Sequence, residues 1–431
     1  MFSKKLKSLF ADGKNTLPIC IAGFMHSGSI AAYFVAIPFI LKRLGGSDTD
    51  LGVSLGFYFT AYPICCLLAS KFLDRFNPKH SVQLGAFAII CSFAALAAII
   101  ILDQKQLCPI NPVTLTIFIS GFIGITTSMF WPPLMGWLTA GSEGRQLNRK
   151  LGLFSTTVAL GGTMTPFFAG LLVENSSLAP VIAMIALTSI ALIAISYAKK
   201  TGPNTIHSID INQDTDCQKN VPAFIIMARI ALFTSFMCMG VIRSQLAYWF
   251  KFELLFSESD FGLTILAMSA AMLITLNFAG RTHLWHYKFL PFISIQVLLL
   301  ICMFFITAAN SLLIITCIVM LIGIGRSFIY ASHLYYGASG AKKRSGAMAI
   351  HETILSMGFA SGSILGGLLS DNIGRSSPYY FGFAIVTAGL LAQVIIWASV
   401  TRKTAKVTDR SETAESWEGT SEGHGRRYDR A

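Results

Sequence analysis

"LASKFLDRFNPKH", residues 68–80, crowds Lys71, Asp74, Arg75, Lys79 and His80 into one short stretch between apolar runs at 51–70 and 81–102. Each flanking run has about 20 residues, the length an α-helix needs to cross roughly 30 Å of hydrocarbon. The stretch therefore reads as a polar turn joining two membrane-spanning helices. The composition agrees: 54% hydrophobic and 13% charged residues over 431 positions, with a mean hydropathy of +0.62, leave too little polar surface to coat a soluble globule.

Outward from this turn, 15–41, 151–173, 175–198, 261–280 and 376–401 each suit one crossing. The run 106–142 is longer than one helix needs, and 289–325 divides at "AANS" (308–311) into two. The stretches 223–250 and 344–370 are helices interrupted by Arg229 and Arg243 and by Glu352. The fold class is all-α integral membrane with twelve transmembrane helices. The nine cysteines lie mostly in apolar runs and include no Cys-x-x-Cys pair, so they read as free thiols, with no metal site and no cofactor expected.

Charge sets the orientation. Lys4, Lys5, Lys7 and Lys14 precede the first helix, and alternate loops carry Lys71, Arg75 and Lys79, then Arg145, Arg149 and Lys150, then Lys342, Lys343 and Arg344. The intervening loops hold little beyond Lys42, Arg43, Lys105, Lys251 and Arg375. The positive-inside rule then puts both termini in the cytoplasm of a cell whose plasma or inner membrane holds the chain. The net charge of +12 follows from topology, without a nucleic-acid partner.

A repeat divides the chain. "GGTMTPFFAGLLVE" (161–174) superposes on "GFASGSILGGLLSD" (358–371), setting Gly161 on Gly358, Gly170 on Gly367 and Glu174 on Asp371. The offset is close to half the chain, which implies two six-helix bundles related by a parallel repeat. The expected organisation is a cytoplasmic N-terminus at 1–14, one bundle at 15–198, a polar cytoplasmic linker at 199–222, a second bundle at 223–402 and a disordered cytoplasmic tail at 403–431.

Twelve helices in two halves, a long central loop and an Asp-Arg turn between helices 2 and 3 together resemble the major facilitator superfamily of secondary transporters. The resemblance covers 15–402. The family's loop reads roughly Gly-x-Leu-x-Asp-Arg-x-Gly-Arg-Lys, and this chain keeps Asp74-Arg75 and Lys79. Ser70 and Asn77 stand where glycines are usual, and Pro78 where an Arg is. The resemblance implies a gating role for Asp74, Arg75 and Lys79, and Asn77 is expected to take the left-handed turn. It implies that helices 1, 4, 7 and 10 line a central cavity, and that the chain works as a monomer. Helix 5, with Gly162, Pro166 and Gly170, resembles the family's glycine-proline pattern. Those residues suit a bend that helps two bundles rock, and close packing explains them equally.

Ionisable groups inside a bilayer cost several kcal/mol unless they face protein or water. His26, Arg243, Arg326 and His333 are thus candidates to touch a solute, with Trp131 and Tyr330 as aromatic walls. Two cavity arginines suit an anionic or carboxylate-bearing substrate through bidentate bonds. His351 and Glu352, opening helix 11, suit proton coupling or charge pairing. Other readings stand beside these. Arg326 and Glu352 can neutralise each other, Arg243 can snorkel to headgroups, His26 can be a packing residue, and His333 lies near enough to one face to be solvated. "WPP" at 131–133 predicts a break or kink.

The reading is a secondary transporter of a small solute, anionic or amphipathic, with protons as a candidate coupling ion. No Gly-x-x-x-x-Gly-Lys-Ser/Thr motif for ATP hydrolysis occurs. Two alternatives are a non-transporting sensor or receptor on the same architecture and a membrane enzyme. The enzyme reading has only His351-Glu352 in its favour, without a second His at metal-ligand spacing.

Overall fold

A computed structural model describes residues 16–73, 77–139, 144–198, 221–282, 284–338 and 344–422. Among these are twelve helices long and apolar enough to cross a membrane, and no strand. In chain order α1 is Thr16–Arg43, α2 Asp48–Leu73, α3 Pro78–Gln104, α4 Pro112–Thr139, α5 Gly144–Asn175 and α6 Leu178–Tyr197. The second half runs α7 Val221–Tyr248, α8 Glu258–Ala279, α9 Phe289–Phe305, α10 Leu312–Ala338, α11 Arg344–Asn372 and α12 Ser377–Glu422. A π-helical turn, Trp249–Glu253, extends α7.

Several boundaries differ from the sequence reading, each for a physical reason. Helix α12 continues to Glu422, so 403–422, expected to be disordered, is helical. That segment mixes Lys, Arg, Glu and Ala, good helix formers, and has no Pro to stop the preceding span. Pro132 and Pro133 lie within α4, which runs unbroken through them, as membrane helices allow where neighbouring helices and local adjustments satisfy the freed backbone groups. Asn77 is extended, with φ −65° and ψ 122°, and not left-handed. Its side chain accepts a hydrogen bond from the Lys79 amide at 3.0 Å, capping α3 with Pro78 in the first turn, where a missing N–H costs nothing. The linker 199–220 and the gating residues Asp74 and Arg75 lie outside the described residues.

Helices α1–α6 pack mainly on one another, as do α7–α12, and the two bundles meet along α2 with α11 and α5 with α8. Both seams are built on glycine. A Cβ on Gly367 of α11 would stand 2.5 Å from the Asp48 carbonyl oxygen at the start of α2, and one on Gly52 would collide with the Ser363 carbonyl. On the other side, a Cβ on Gly170 of α5 would stand 2.6 Å from the Glu258 carbonyl oxygen, and one on Gly262 of α8 the same distance from that of Pro166. The residues matched by the repeat, Gly170 and Gly367, thus do the same job in the two halves.

These contacts lie toward one end of the molecule, the end away from the terminus-bearing face. The bonds tying one bundle to the other gather there too. Arg43 pairs with Glu258 at 3.2 Å, Arg375 with Asp48 at 3.5 Å, and Ser370 donates to Asp48 at 2.5 Å. Asp371 accepts from the backbone N–H of Asp48 at 3.3 Å and of Thr49 at 2.8 Å, so one bundle caps a helix of the other. Phe59 of α2 stacks on Phe359 of α11 at 3.8 Å between ring centroids, below the glycine contacts.

Gly367→Val is expected to lower stability by about 1–3 kcal/mol, the usual cost of forcing extra carbons into a filled contact. The control is Gly152→Val, where a Cβ meets nothing within 4 Å. Thermal unfolding of the two variants in detergent compares them; equal midpoints would show that the seam is not close-packed.

Candidate solute cavity

Below the sealed end lies a cavity of about 510 Å³ lined from both bundles. Residues from α1, α2, α4 and α5 face it from one side, and residues from α7, α8, α10 and α11 from the other; none comes from α3, α6, α9 or α12. Its limits follow from the seams. On α5 the cavity residues stop at Thr163 and the bundle contact begins at Pro166; on α11 they stop at Leu355 and the contacts begin at Phe359. On α8 the order is mirrored, with contact at Gly262 and lining from Ser269 onward. The seams are thus a floor, and the space opens toward the terminus-bearing face.

His26, Trp131, Arg243, Arg326, Tyr330, Glu352 and Gly162 all line this cavity. The His26 ring lies 3.9 Å from Phe130 and 5.5 Å from Trp131, centroid to centroid, which fixes it in an aromatic corner. It is 2% exposed, and its Nδ1 has no hydrogen-bond partner. Arg243 does not reach a headgroup; it faces the cavity, with Nη1 buried and unpartnered. Arg326 lays its guanidinium 4.6 Å above the Phe236 ring and directs Nη1 to the Met272 sulfur at 3.3 Å, leaving Nε buried and unpartnered. Ser327 adds an orphaned Oγ in the same wall. Four residues of the cavity wall thus each hold a buried polar atom without a partner.

Of the two readings of Arg326 and Glu352, the structure does not show the mutual pairing: among the described residues no ion pair joins them within 4.0 Å. Glu352 is exposed and lines the cavity with Tyr62 and Tyr330. Arg243 and Arg326 line the same cavity, and among the described residues neither has a carboxylate within ion-pair distance.

Other expected residues go elsewhere. His333 is not solvated and does not line the cavity. It is 2% exposed and meets His351, 1% exposed, with Nδ1 to Nδ1 at 2.8 Å and Tyr330 edge-on against the His351 ring. One Nδ1 carries the proton and the other accepts it, so both Nε2 atoms remain buried without partners. Lys79 does not reach across the bundles; its Nζ donates to the carbonyls of Ser196 at 2.7 Å and Ala198 at 2.6 Å, where a cation suits the free carbonyls ending α6. Pro166 and Gly170 belong to the α5–α8 seam.

Sequence reasoning missed the contributions of α2 and α8. Tyr58 and Tyr62 sit one turn apart on α2, and Ser269, Met272 and Leu276 follow at helical spacing on α8, without an ionisable residue to draw the eye. It also missed a second repeat at the sealed end, "SDTDLG" (47–52) and "SESDFG" (257–262). In both, the Ser and the Asp three residues later satisfy each other's backbone N–H, at 2.8 and 3.1 Å in the first and 3.0 and 3.1 Å in the second. This is a capping box with Asp in place of Glu. The glycine closing each motif enters a seam. Among the described residues no group of three or more His, Cys, Asp or Glu could hold a metal ion.

Residues 19–345 match the family model described as Major Facilitator Superfamily. No curated protein matches the chain. Among solved structures it is similar to the nucleoside transporter NupG, at 10% identity and TM-score 0.67, covering 88% of this chain and 99% of that one. It is similar to a bacterial homologue of the human lysosomal transporter Spinster in an inward-facing, unoccupied conformation, at 13% identity and TM-score 0.64, over 90% and 95% of the two chains. A POT family transporter in complex with 5-aminolevulinic acid gives 13% identity and TM-score 0.68, over 91% and 98%. At these identities the likeness is one of fold.

Replacing His333 by Ala leaves His351 without its partner, an expected loss of about 1–3 kcal/mol for an orphaned buried polar group. Replacing both by Leu removes both orphans and is expected to fall nearer the wild type. Melting temperatures of the single and double variants check this, and additive losses would contradict it.

Proposed function

The chain belongs to the Major Facilitator Superfamily and is a multi-pass membrane transporter, and from that premise we propose that it carries an organic anion by alternating access around the cavity just described. The observation that carries this reading is the quartet of unpartnered polar atoms on Arg243, Arg326, Ser327 and His26, in a space whose two guanidiniums have no carboxylate within ion-pair distance among the described residues. A buried cation without a partner is held at a cost of several kcal/mol. A ligand carboxylate or phosphate, taking two N–H groups from one arginine, removes that cost through charge-assisted bonds.

The charge bias of the loops supports cytoplasmic termini, and the cavity would then face the cytoplasm with its outer end shut. Alternating access would part the glycine seams and close the opposite end. One chain suffices, because eight of its own helices complete the cavity. Protons are a second element of the reading: Glu352 is the one carboxylate of the lining and has no ion-pair partner among the described residues, so it can bind and release a proton as its surroundings change. The oily outer surface, with Phe87, Ile182, Ile274 and Ile395 among its exposed side chains, suits lipid contact.

Uptake into proteoliposomes is the test. Arg243→Ala and Arg326→Ala are each expected to cut uptake of the best organic anion by about tenfold or more per folded, reconstituted molecule. Transport at the wild-type rate by both variants would sink the anion reading. An imposed pH gradient should alter wild-type uptake and leave Glu352→Gln unresponsive.

A further inference from the structure

The charges of the cavity lie at two depths. The Arg326 guanidinium sits over Phe236, and Phe236 meets α11 beside Gly358. Glu352 stands six residues earlier on α11, hence roughly 9 Å nearer the open end at 1.5 Å per residue. Side chains lean toward the N-terminus of their own helix. On α7, which runs toward the sealed end, Arg243 therefore leans back into the cavity. On α10, which runs the other way, Arg326 leans toward the floor, so the two guanidiniums converge. Glu352, on α11, leans toward the opening, where it is exposed and shares the cavity wall with Tyr62 and Tyr330.

We infer that the solute is a zwitterion, with its anionic group at Arg243 and Arg326 on the floor and an ammonium at Glu352 beside Tyr62 and Tyr330, roughly 9 Å nearer the opening. This rests on the anion reading of the same cavity and adds a second subsite to it. A plain anion would satisfy the floor and be repelled by Glu352. A plain cation would satisfy Glu352 and face two guanidiniums. One solute with both groups, the anion leading, leaves none of the three protein charges opposed. The tyrosine rings add aromatic faces, which attract an ammonium, and the apolar stretch between the subsites, including Leu355 and Leu273, suits a hydrocarbon spacer. A proton and the ammonium neutralise the same carboxylate, so at Glu352 they are alternatives.

Thermal unfolding of the purified full chain in detergent tests this, using linear ω-amino acids from aminobutyrate to aminooctanoate, with the carboxylate and the amine of each chain length as controls. The best ω-amino acid is expected to bind about tenfold more tightly than its carboxylate, and the amine to give no shift. In Glu352→Gln, a near-isosteric change, that preference is expected to vanish while carboxylate binding persists. Equal affinity of wild type for the ω-amino acid and the carboxylate, or a preference that survives in Glu352→Gln, overturns the zwitterion. In that case the anion reading stands if Arg326→Ala still weakens the carboxylate. If no probe shifts wild type, or Arg326→Ala changes nothing, both readings fail together.

Discussion

Backbone meets backbone at the two glycine seams, and the rest of the molecule depends on that approach. In a bilayer the hydrophobic effect does not press helices together, because lipid tails are as apolar as leucine; close packing must do so instead. Removing the side chain at Gly52, Gly367, Gly170 and Gly262 lets α2 reach α11 and α5 reach α8 over one half of their length only. Past Phe59 and Phe359 the two bundles no longer meet backbone to backbone, and the wedge between them is the cavity. A shape closed at one end and open at the other therefore follows from where the backbones of these four helices touch across the seam.

That wedge is what makes the cavity charges tolerable. Arg243, Arg326 and Glu352 could not face lipid, and none has an ion-pair partner among the described residues. Water or solute must do for them what a counter-ion does for Arg43, Lys251 and Arg375, which pair with Glu258, Glu253 and Asp48 at the sealed end. The molecule thus has two kinds of charge. One kind is paired at the sealed end, partly across the bundles; the other is unpaired in the cavity.

Much of this was legible in the sequence. Span number, the division into halves and the equivalence of Gly170 with Gly367 came from hydropathy and one repeat, because membrane thickness and helix packing impose them on every residue involved. His26, Arg243, Arg326 and Glu352 were found because a charge at bilayer depth is costly enough to need a reason. What was not legible depends on pairing in space. Nothing local tells His333 that it will meet His351 on another helix, and Lys79 looks like a topology marker until α6 ends beside it. Neutral lining residues such as Ser269 and Met272 carry no cost that would mark them. The continuation of α12 past the membrane was hidden for the opposite reason: polar composition was taken as disorder, although it also suits a solvent-exposed helix.

The repeat is imperfect at one point that matters. Asp371 reaches across to cap the first turn of α2, whereas Glu174, its counterpart in the other half, is exposed, and α8 is capped from within its own segment. The contact of α2 with α11 thus gives two main-chain donors their acceptor, while α5 and α8 meet by packing alone, beside the Arg43–Glu258 pair from α1. The sealed end therefore has a bolted edge and a latched one.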